Sequence, residues 1–107
     1  MADIIELENY KYYTYSSRGF DFGYSHTVIL MYSADGYIGA VFFQKSDEGL
    51  KPATKSSGGI YSLYYSYADL PQIIDMLRNE SPVYLIYNGE KNSRLSTSSE
   101  PVGEGEA

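Results

Sequence analysis

Short runs of apolar and aromatic residues, separated by Gly, Ser, Asp and Pro, make up most of this chain. The runs are rich in Tyr, Val, Ile and Phe, which favour β-strands. They predict strands over residues 10–15, 26–32, 37–44, 60–65, 83–87 and 93–97. The 83–87 strand is apolar at every position, so we expect both of its faces to be covered and the strand to lie inside a sheet.

Two connections between these strands carry distinct signals. Asp35-Gly36 separates the second and third strands, and an Asp-Gly pair readily adopts the positive φ angles of a tight turn. These two strands are therefore predicted to form an antiparallel hairpin. The connection at 46–59 is long, polar and rich in glycine, and such a loop inside a compact domain is usually either mobile or functional.

One segment has the periodicity of a helix instead. Its apolar residues recur at i, i+3, i+4 and i+7 and form one stripe of an amphipathic helix: Leu70, Ile73, Ile74 and Leu77. Asp69 is predicted to be the N-cap, with its carboxylate accepting a hydrogen bond from the backbone amide of Gln72 in a capping box. Pro82 ends the helix.

The predicted elements define an α+β domain. It contains a mainly antiparallel sheet of five or six strands and one short amphipathic helix, in the order β-β-β-β-α-β-β. A chain of 107 residues buries one modest core, so we expect a single domain over residues 1–97. Residues 98–107 contain mostly Ser, Glu, Gly and Pro, which predicts a flexible acidic tail.

The size of the helix raises a problem of coverage. A helix of about 11 residues is roughly 16 Å long, whereas five strands make a sheet roughly 24 Å wide. One helix cannot cover such a face, and the strands carry apolar or aromatic residues on both sides. The remaining surface is buried in an oligomer, occupied by a ligand, or left as a tyrosine-tipped surface that water tolerates. We expect the first, a homo-oligomer such as a dimer.

Charge and cysteine content narrow the possible environments. The formal charge is −6, but the excess acidic residues lie near the two ends, and residues 9–99 contain eight acidic and eight basic side chains. The chain has no cysteine, which excludes disulfides, thiolate metal sites and cysteine nucleophiles and suggests a cytoplasmic protein. Neither a basic signal sequence nor an apolar run long enough for a membrane span is present, so no membrane association is predicted.

Motifs for catalysis or cofactor binding are weak. His26 is the only histidine and no acidic cluster lies near it in sequence, so no metal site is predicted. Ser25 and Asp21 are close to His26, but neighbouring residues on a strand point to opposite faces and no nucleophile elbow is present. A small hydrolase using His26 is the third hypothesis. The Lys- and Ser-containing loop lacks the P-loop pattern, and no cofactor is predicted.

Aromatic and basic residues suggest a possible ligand surface. Tyrosines could stack on bases, and loop cations could contact phosphate. The same thirteen tyrosines are also favoured strand residues that need no ligand. The candidates are Tyr12, Tyr13, Arg18, His26, Lys45, Lys51, Lys55, Tyr61 and Tyr64.

The strand order offers one resemblance. Four strands followed by a helix, with Glu48-Gly49-Leu50-Lys51-Pro52 before the fourth strand, resemble the single-stranded-DNA-binding transcriptional coactivators of the Pur-alpha type over residues 10–79. The resemblance implies a curved, dimeric sheet that stacks bases on tyrosines between basic loops. The chain departs from this pattern in its electrically balanced body and in the strand that follows its helix.

Two functions from different classes therefore remain. The first is a non-enzymatic protein-interaction module that self-associates through its tyrosine-rich sheet and presents the loops at 16–25 and 46–59 to an unknown protein partner. The alternative is a binder of nucleotides or single-stranded nucleic acid that uses tyrosine stacking together with lysine and arginine contacts to phosphate.

Overall fold

The computed structural model describes residues 2–15, 27–44 and 49–97 of the chain. Within these ranges the elements are β1 (Asp3–Glu6), β2 (Asn9–Thr14), β3 (Thr27–Ser33), β4 (Gly36–Gln44), β5 (Thr54–Lys55), β6 (Tyr61–Ser66), α1 (Leu70–Asn79), β7 (Val83–Tyr87) and β8 (Arg94–Thr97). The predicted tail and the whole of the predicted 16–25 loop lie outside the described residues. No helix in the described ranges is long and apolar enough to cross a lipid bilayer.

The strands form two sheets rather than one. A five-stranded sheet has the order β2-β3-β4-β6-β5, and a three-stranded sheet has the order β1-β7-β8. Neighbouring strands are antiparallel except for β4 and β6, which are parallel. The α+β class, the mostly antiparallel pairing and the single short helix are confirmed. Two of the strands, β1 and β5, are additional to those that the sequence predicts.

The hairpin between β3 and β4 forms where the Asp-Gly pair predicts it. Gly36 has a φ of 115°, a value that glycine adopts without the steric penalty of a Cβ atom. The hydroxyl oxygen of Ser33 accepts a hydrogen bond from the backbone amide of Asp35 at 3.1 Å, which closes the turn. The local chemistry of the turn therefore favours the hairpin, while the register of the two strands shifts by one residue between Met31 and Tyr32.

Helix α1 begins differently from the prediction. Asp69 is at the N-cap, but its side chain makes no capping hydrogen bond, so the predicted capping box with Gln72 is wrong. The cause is a 3₁₀ turn at Tyr67–Asp69, which leaves Asp69 with helical backbone angles, φ −90° and ψ −5°, whereas a capping side chain needs an extended backbone. Ser66 caps this turn instead, accepting from the amide of Ala68 at 3.2 Å.

The hydrophobic core explains how one face of the five-stranded sheet is covered although the protein has only one short helix in the described residues. Buried side chains of the five-stranded sheet form one cluster with side chains of α1 and of the three-stranded sheet. The five-stranded sheet contributes Ile29, Met31, Val41, Phe43 and Leu63, α1 contributes Ile73, and the three-stranded sheet contributes Leu85 and Leu95. The helix and the smaller sheet thus share the cover of one face, which is why the helix alone need not span it. The apolar strand at 83–87 is central, as predicted, but in the smaller sheet, between β1 and β8.

Candidate interaction surface

Strand β2 forms an open edge of the five-stranded sheet. It pairs with β3 along its whole length, and no strand in the described part of the chain pairs with its other side. Five of its six residues are exposed. The backbone groups that point away from β3 are therefore available to pair with another strand, which is the usual liability of a sheet edge.

Consecutive tyrosines on β2 face opposite sides of the sheet. Tyr12 is opposite buried Ile29 and so lies on the face that α1 covers, whereas Tyr13 is opposite Val28 on the other face. Both rings remain accessible to solvent, with 48% of Tyr12 and 42% of Tyr13 exposed. These two candidates from the sequence lie on one edge, but they cannot contribute to a single stacking platform.

A groove of about 410 Å³ separates the β2 edge from α1. Tyr12 forms one wall, and the helix contributes the apolar surfaces of Leu70, Pro71 and Ile74. Arg78 also lines the groove. The groove thus combines an aromatic ring, aliphatic side chains and a guanidinium beside a strand edge that no described strand pairs with.

A second groove of about 380 Å³ continues along β2 toward the carboxyl end of α1. It is lined by Tyr10, Leu77 and Val83, and again by Arg78, which lies between the two grooves. Within the described residues, the Arg78 guanidinium forms no salt bridge or hydrogen bond. An exposed guanidinium beside tyrosine rings is suited to a cation–π contact with an incoming aromatic side chain.

A row of side chains crosses the opposite face of the larger sheet. Tyr13, Val28, Phe42 and Tyr64 are neighbours in register across β2, β3, β4 and β6. The rings of Phe42 and Tyr64 stack with centroids 5.4 Å apart. Tyr13 and Tyr64 therefore share a face but are three strand spacings, roughly 14 Å, apart.

Lys55 and Tyr61 have a structural partner that the sequence did not reveal. The Lys55 ammonium lies 2.9 Å from a carboxylate oxygen of Asp3, to which the Tyr61 hydroxyl also donates at 2.8 Å. The Lys55 ammonium is also 5.4 Å from the Tyr61 ring centroid. These contacts join β1 of the smaller sheet to β5 and β6 of the larger one.

The same contacts change the acidities of the three groups. Hydrogen bonds from Lys55 and Tyr61 lower the pKa of Asp3. The hydrogen bond to Asp3 raises the pKa of Lys55, and burial, followed by the hydrogen bond to Asp3, raises the pKa of Tyr61. Each group is thus held in its neutral-pH protonation state, as expected for a contact that stabilises the fold.

A third groove is lined by one lysine and one tyrosine that the sequence identified as ligand-binding candidates. Lys51 and Tyr64 line a groove of about 460 Å³, along with Glu90 and Lys91 from the turn between β7 and β8. The backbone amide of Lys51 donates to the side-chain oxygen of Gln44 at 2.9 Å, which holds this part of the loop against β4. Two cations and one carboxylate therefore border the groove.

The other sequence candidates and possible metal ligands can be placed briefly. Arg18, His26 and Lys45 lie outside the described residues. Within the residues that the structure describes, no group of three or more His, Cys, Asp or Glu side chains could hold a metal ion.

Comparison with known proteins gives no relative for this chain. No protein-family model matches it. No curated protein sequence and no solved structure matches it at a significant level.

Proposed function

We propose that this protein is a small, non-enzymatic interaction module that self-associates through the edge of its tyrosine-rich sheet. The observation that carries the proposal is the exposed β2 strand, whose outer side has no strand partner in the described ranges. A second copy adds its own β2 to this edge. The cysteine-free composition fits a reducing compartment, and we place the module in the cytoplasm.

The composition of β2 supports this role. Natural edge strands are commonly protected by proline, by several charges or by a bulge. β2 contains neither proline nor a bulge, and its single charged residue is Lys11, whose ammonium lies 5.4 Å from the centroid of the Tyr32 ring. An edge of six residues with three tyrosines is therefore open to pairing and offers large contact area at low entropic cost.

The length of β2 limits the surface area that two copies can bury between them. β2 is about 20 Å long, and the sheet with its helix layer is about 20 Å deep, which gives a footprint of roughly 400 Å² per copy. The total of roughly 800 Å² is below the ~1,200 Å² typical of stable complexes. We therefore expect a dimer that dissociates at micromolar concentrations rather than a permanent one.

Sedimentation velocity over a range of concentrations tests the proposal with two matched variants. Tyr12→Glu places a charge on the β2 edge, while Tyr37→Glu does the same at a tyrosine of similar exposure, 45% against 48%, outside β2. Wild type and Tyr37→Glu should dimerise, and Tyr12→Glu should remain monomeric because pairing of the β2 edges would take the new carboxylate out of water. A wild-type monomer at millimolar concentration, or an unchanged dimer in Tyr12→Glu, would overturn the proposal.

The groove beside Tyr64 favours a second candidate function, binding of a nucleotide or single-stranded nucleic acid. Lys51 and Lys91 supply positive charge near the aromatic ring. Tyrosine fluorescence should then be quenched by oligonucleotide at low salt and recover as salt increases, because phosphate contacts release counterions. Charge reversal at Lys51 or Lys91 should abolish the effect and reversal at Lys11 should not. No quenching at low salt would eliminate this candidate.

A further inference from the structure

We infer that two copies pair in a single register, with the two-fold axis at Tyr12, so that Tyr12 of each copy enters the groove between β2 and α1 of the other. This inference rests on the proposed self-association and specifies its geometry. Three features carry it: the groove beside Tyr12, the guanidinium of Arg78, which has no salt bridge or hydrogen bond within the described residues, and the sequence of β2.

Symmetry restricts how two β2 edges can meet. A two-fold axis that joins antiparallel edges must be perpendicular to the sheet. The α1-covered face of one copy therefore continues into the α1-covered face of the other. Directly opposite residues of an antiparallel pair lie on the same face. Tyr12 must therefore be opposite a residue of the partner copy that also lies on the α1-covered face, and both helices lie on that side of the joined sheet.

Charge and strand length select one of the remaining registers. An axis at Lys11 would place two ammonium groups opposite each other, which destabilises a strand pair. An axis at Tyr10 or Tyr13 would pair only three residues of each β2 and leave the other three unpaired. An axis at Tyr12 pairs the whole stretch from Tyr10 to Thr14 and places Lys11 opposite Tyr13 of the partner copy, a favourable cation–π pair.

The α1 groove provides a position for the incoming ring. In this register the two Tyr12 Cα atoms are about 4.5–5.5 Å apart, and both side chains project toward the helix side. The groove beside Tyr12 has a volume of about 410 Å³, within the size range of natural small-ligand sites, and we assign it to the incoming phenol ring. Leu70 and Ile74 contact its faces, and Arg78 supplies the cation.

Cysteine scanning tests the register directly, because the native chain contains no cysteine. In the Tyr12→Cys variant, the opposite Cα atoms fall within the range of about 4.4–6.8 Å that a disulfide bridges. Tyr10→Cys is the matched control: it lies on the same strand and face, but its two copies are four residues, roughly 13 Å, apart. Mild oxidation should cross-link Tyr12→Cys and leave Tyr10→Cys monomeric on a non-reducing gel.

A second pair of variants tests the groove without altering β2. Arg78→Ala should weaken dimerisation about five- to thirtyfold if the guanidinium covers the partner's ring. Arg94→Ala, at an exposed arginine on β8 that donates to the Asn92 carbonyl, should not weaken it. Thermal unfolding of the monomer should be the same for both variants, which separates lost binding from lost folding.

The outcomes distinguish this inference from the proposed function. A protein that dimerises but cross-links through Tyr10→Cys, or whose dimerisation is unaffected by Arg78→Ala, self-associates with a different geometry, and the register is wrong. A protein that remains monomeric overturns both. Cross-linking at Tyr12→Cys together with weakening by Arg78→Ala supports the register and the groove.

Discussion

The substitution Gly39→Ala should be among the most damaging single-methyl changes in this protein. Gly39 in β4 is in register with Tyr61 in β6. A Cβ atom added at Gly39 would overlap the carbonyl oxygen of Tyr61 and would lie 2.9 Å from its carbonyl carbon and 3.0 Å from its nitrogen. These are backbone atoms of a neighbouring strand, so no side-chain rotation relieves the contact, and β4 and β6 must separate or shift.

The magnitude follows from the cost of overpacking a well-packed site, which is about 1–3 kcal/mol. The obstacle here is backbone in the middle of the sheet, next to the buried Val41 and Leu63 pair. We therefore expect the upper end, about 3 kcal/mol, which corresponds to a melting temperature lower by roughly 12–24 °C. A loss of this size is a large part of the stability of a small domain.

Urea unfolding followed by far-UV circular dichroism measures this effect, with Gly58→Ala as the control. The nearest atom to a Cβ at Gly58 is the Ser56 hydroxyl oxygen at 3.8 Å, an ordinary contact, and the φ of Gly58 is not positive. This variant should change the free energy of unfolding by less than about 0.5 kcal/mol. If the two variants were equally stable, the close approach of β4 and β6 would be refuted.

Three other comparisons test separate features of the fold. Ser66→Ala should cost about 1 kcal/mol in urea unfolding, whereas Asp69→Ala, which removes no capping bond, should cost less; the reverse order would contradict the capping described here. Leu85→Ala should cost about 2–5 kcal/mol because this side chain is fully buried, while Ile4→Ala, at a side chain 64% exposed, should cost little, and equal losses would refute the packing of the two sheets. The hydrogen bonds that lower the pKa of Asp3 stabilise the fold at neutral pH, and this contribution is lost as pH falls below 3.8. The unfolding curves of wild type and Asp3→Asn should therefore differ at pH 7 and converge in acid. A constant difference would argue against the ion pair.

Local chemistry determined which elements the sequence could reveal. The Asp35-Gly36 turn and the stripe of α1 are encoded by residues close together in the chain, and both form as predicted. β1 contains only Ile4 and Ile5 between acidic residues, and it becomes a strand by pairing with β7, some 80 residues away. β5 has two residues in a polar loop. Neither has the length needed for a periodicity to be recognised.

The candidate surface was predictable only in part for the same reason. The strand composition pointed to Tyr12 and Tyr13, but nothing local indicated that α1 lies beside β2 and brings Arg78 to the same groove. From the sequence alone, Lys55 is a candidate for a phosphate contact. Its partner in the fold, Asp3, is 52 residues away in sequence, so nothing local indicates the ion pair. Long-range pairing decides which polar residues stabilise the fold and which remain available to a partner.

The structure also changes the reason for expecting self-association. From the sequence, a second copy was needed to cover an apolar sheet face that one helix could not cover. The smaller sheet shares the cover of that face, and tyrosines such as Tyr61 and Tyr65 are used within the fold, where the Tyr65 hydroxyl accepts from the amide of Leu95 at 3.2 Å. Within the described residues the outer side of β2 has no strand partner, and the association that we propose there would depend on backbone pairing and a few rings rather than on a large apolar area. A contact of that kind is expected to be weak and reversible, so the concentration of the protein itself would determine how much of it is paired.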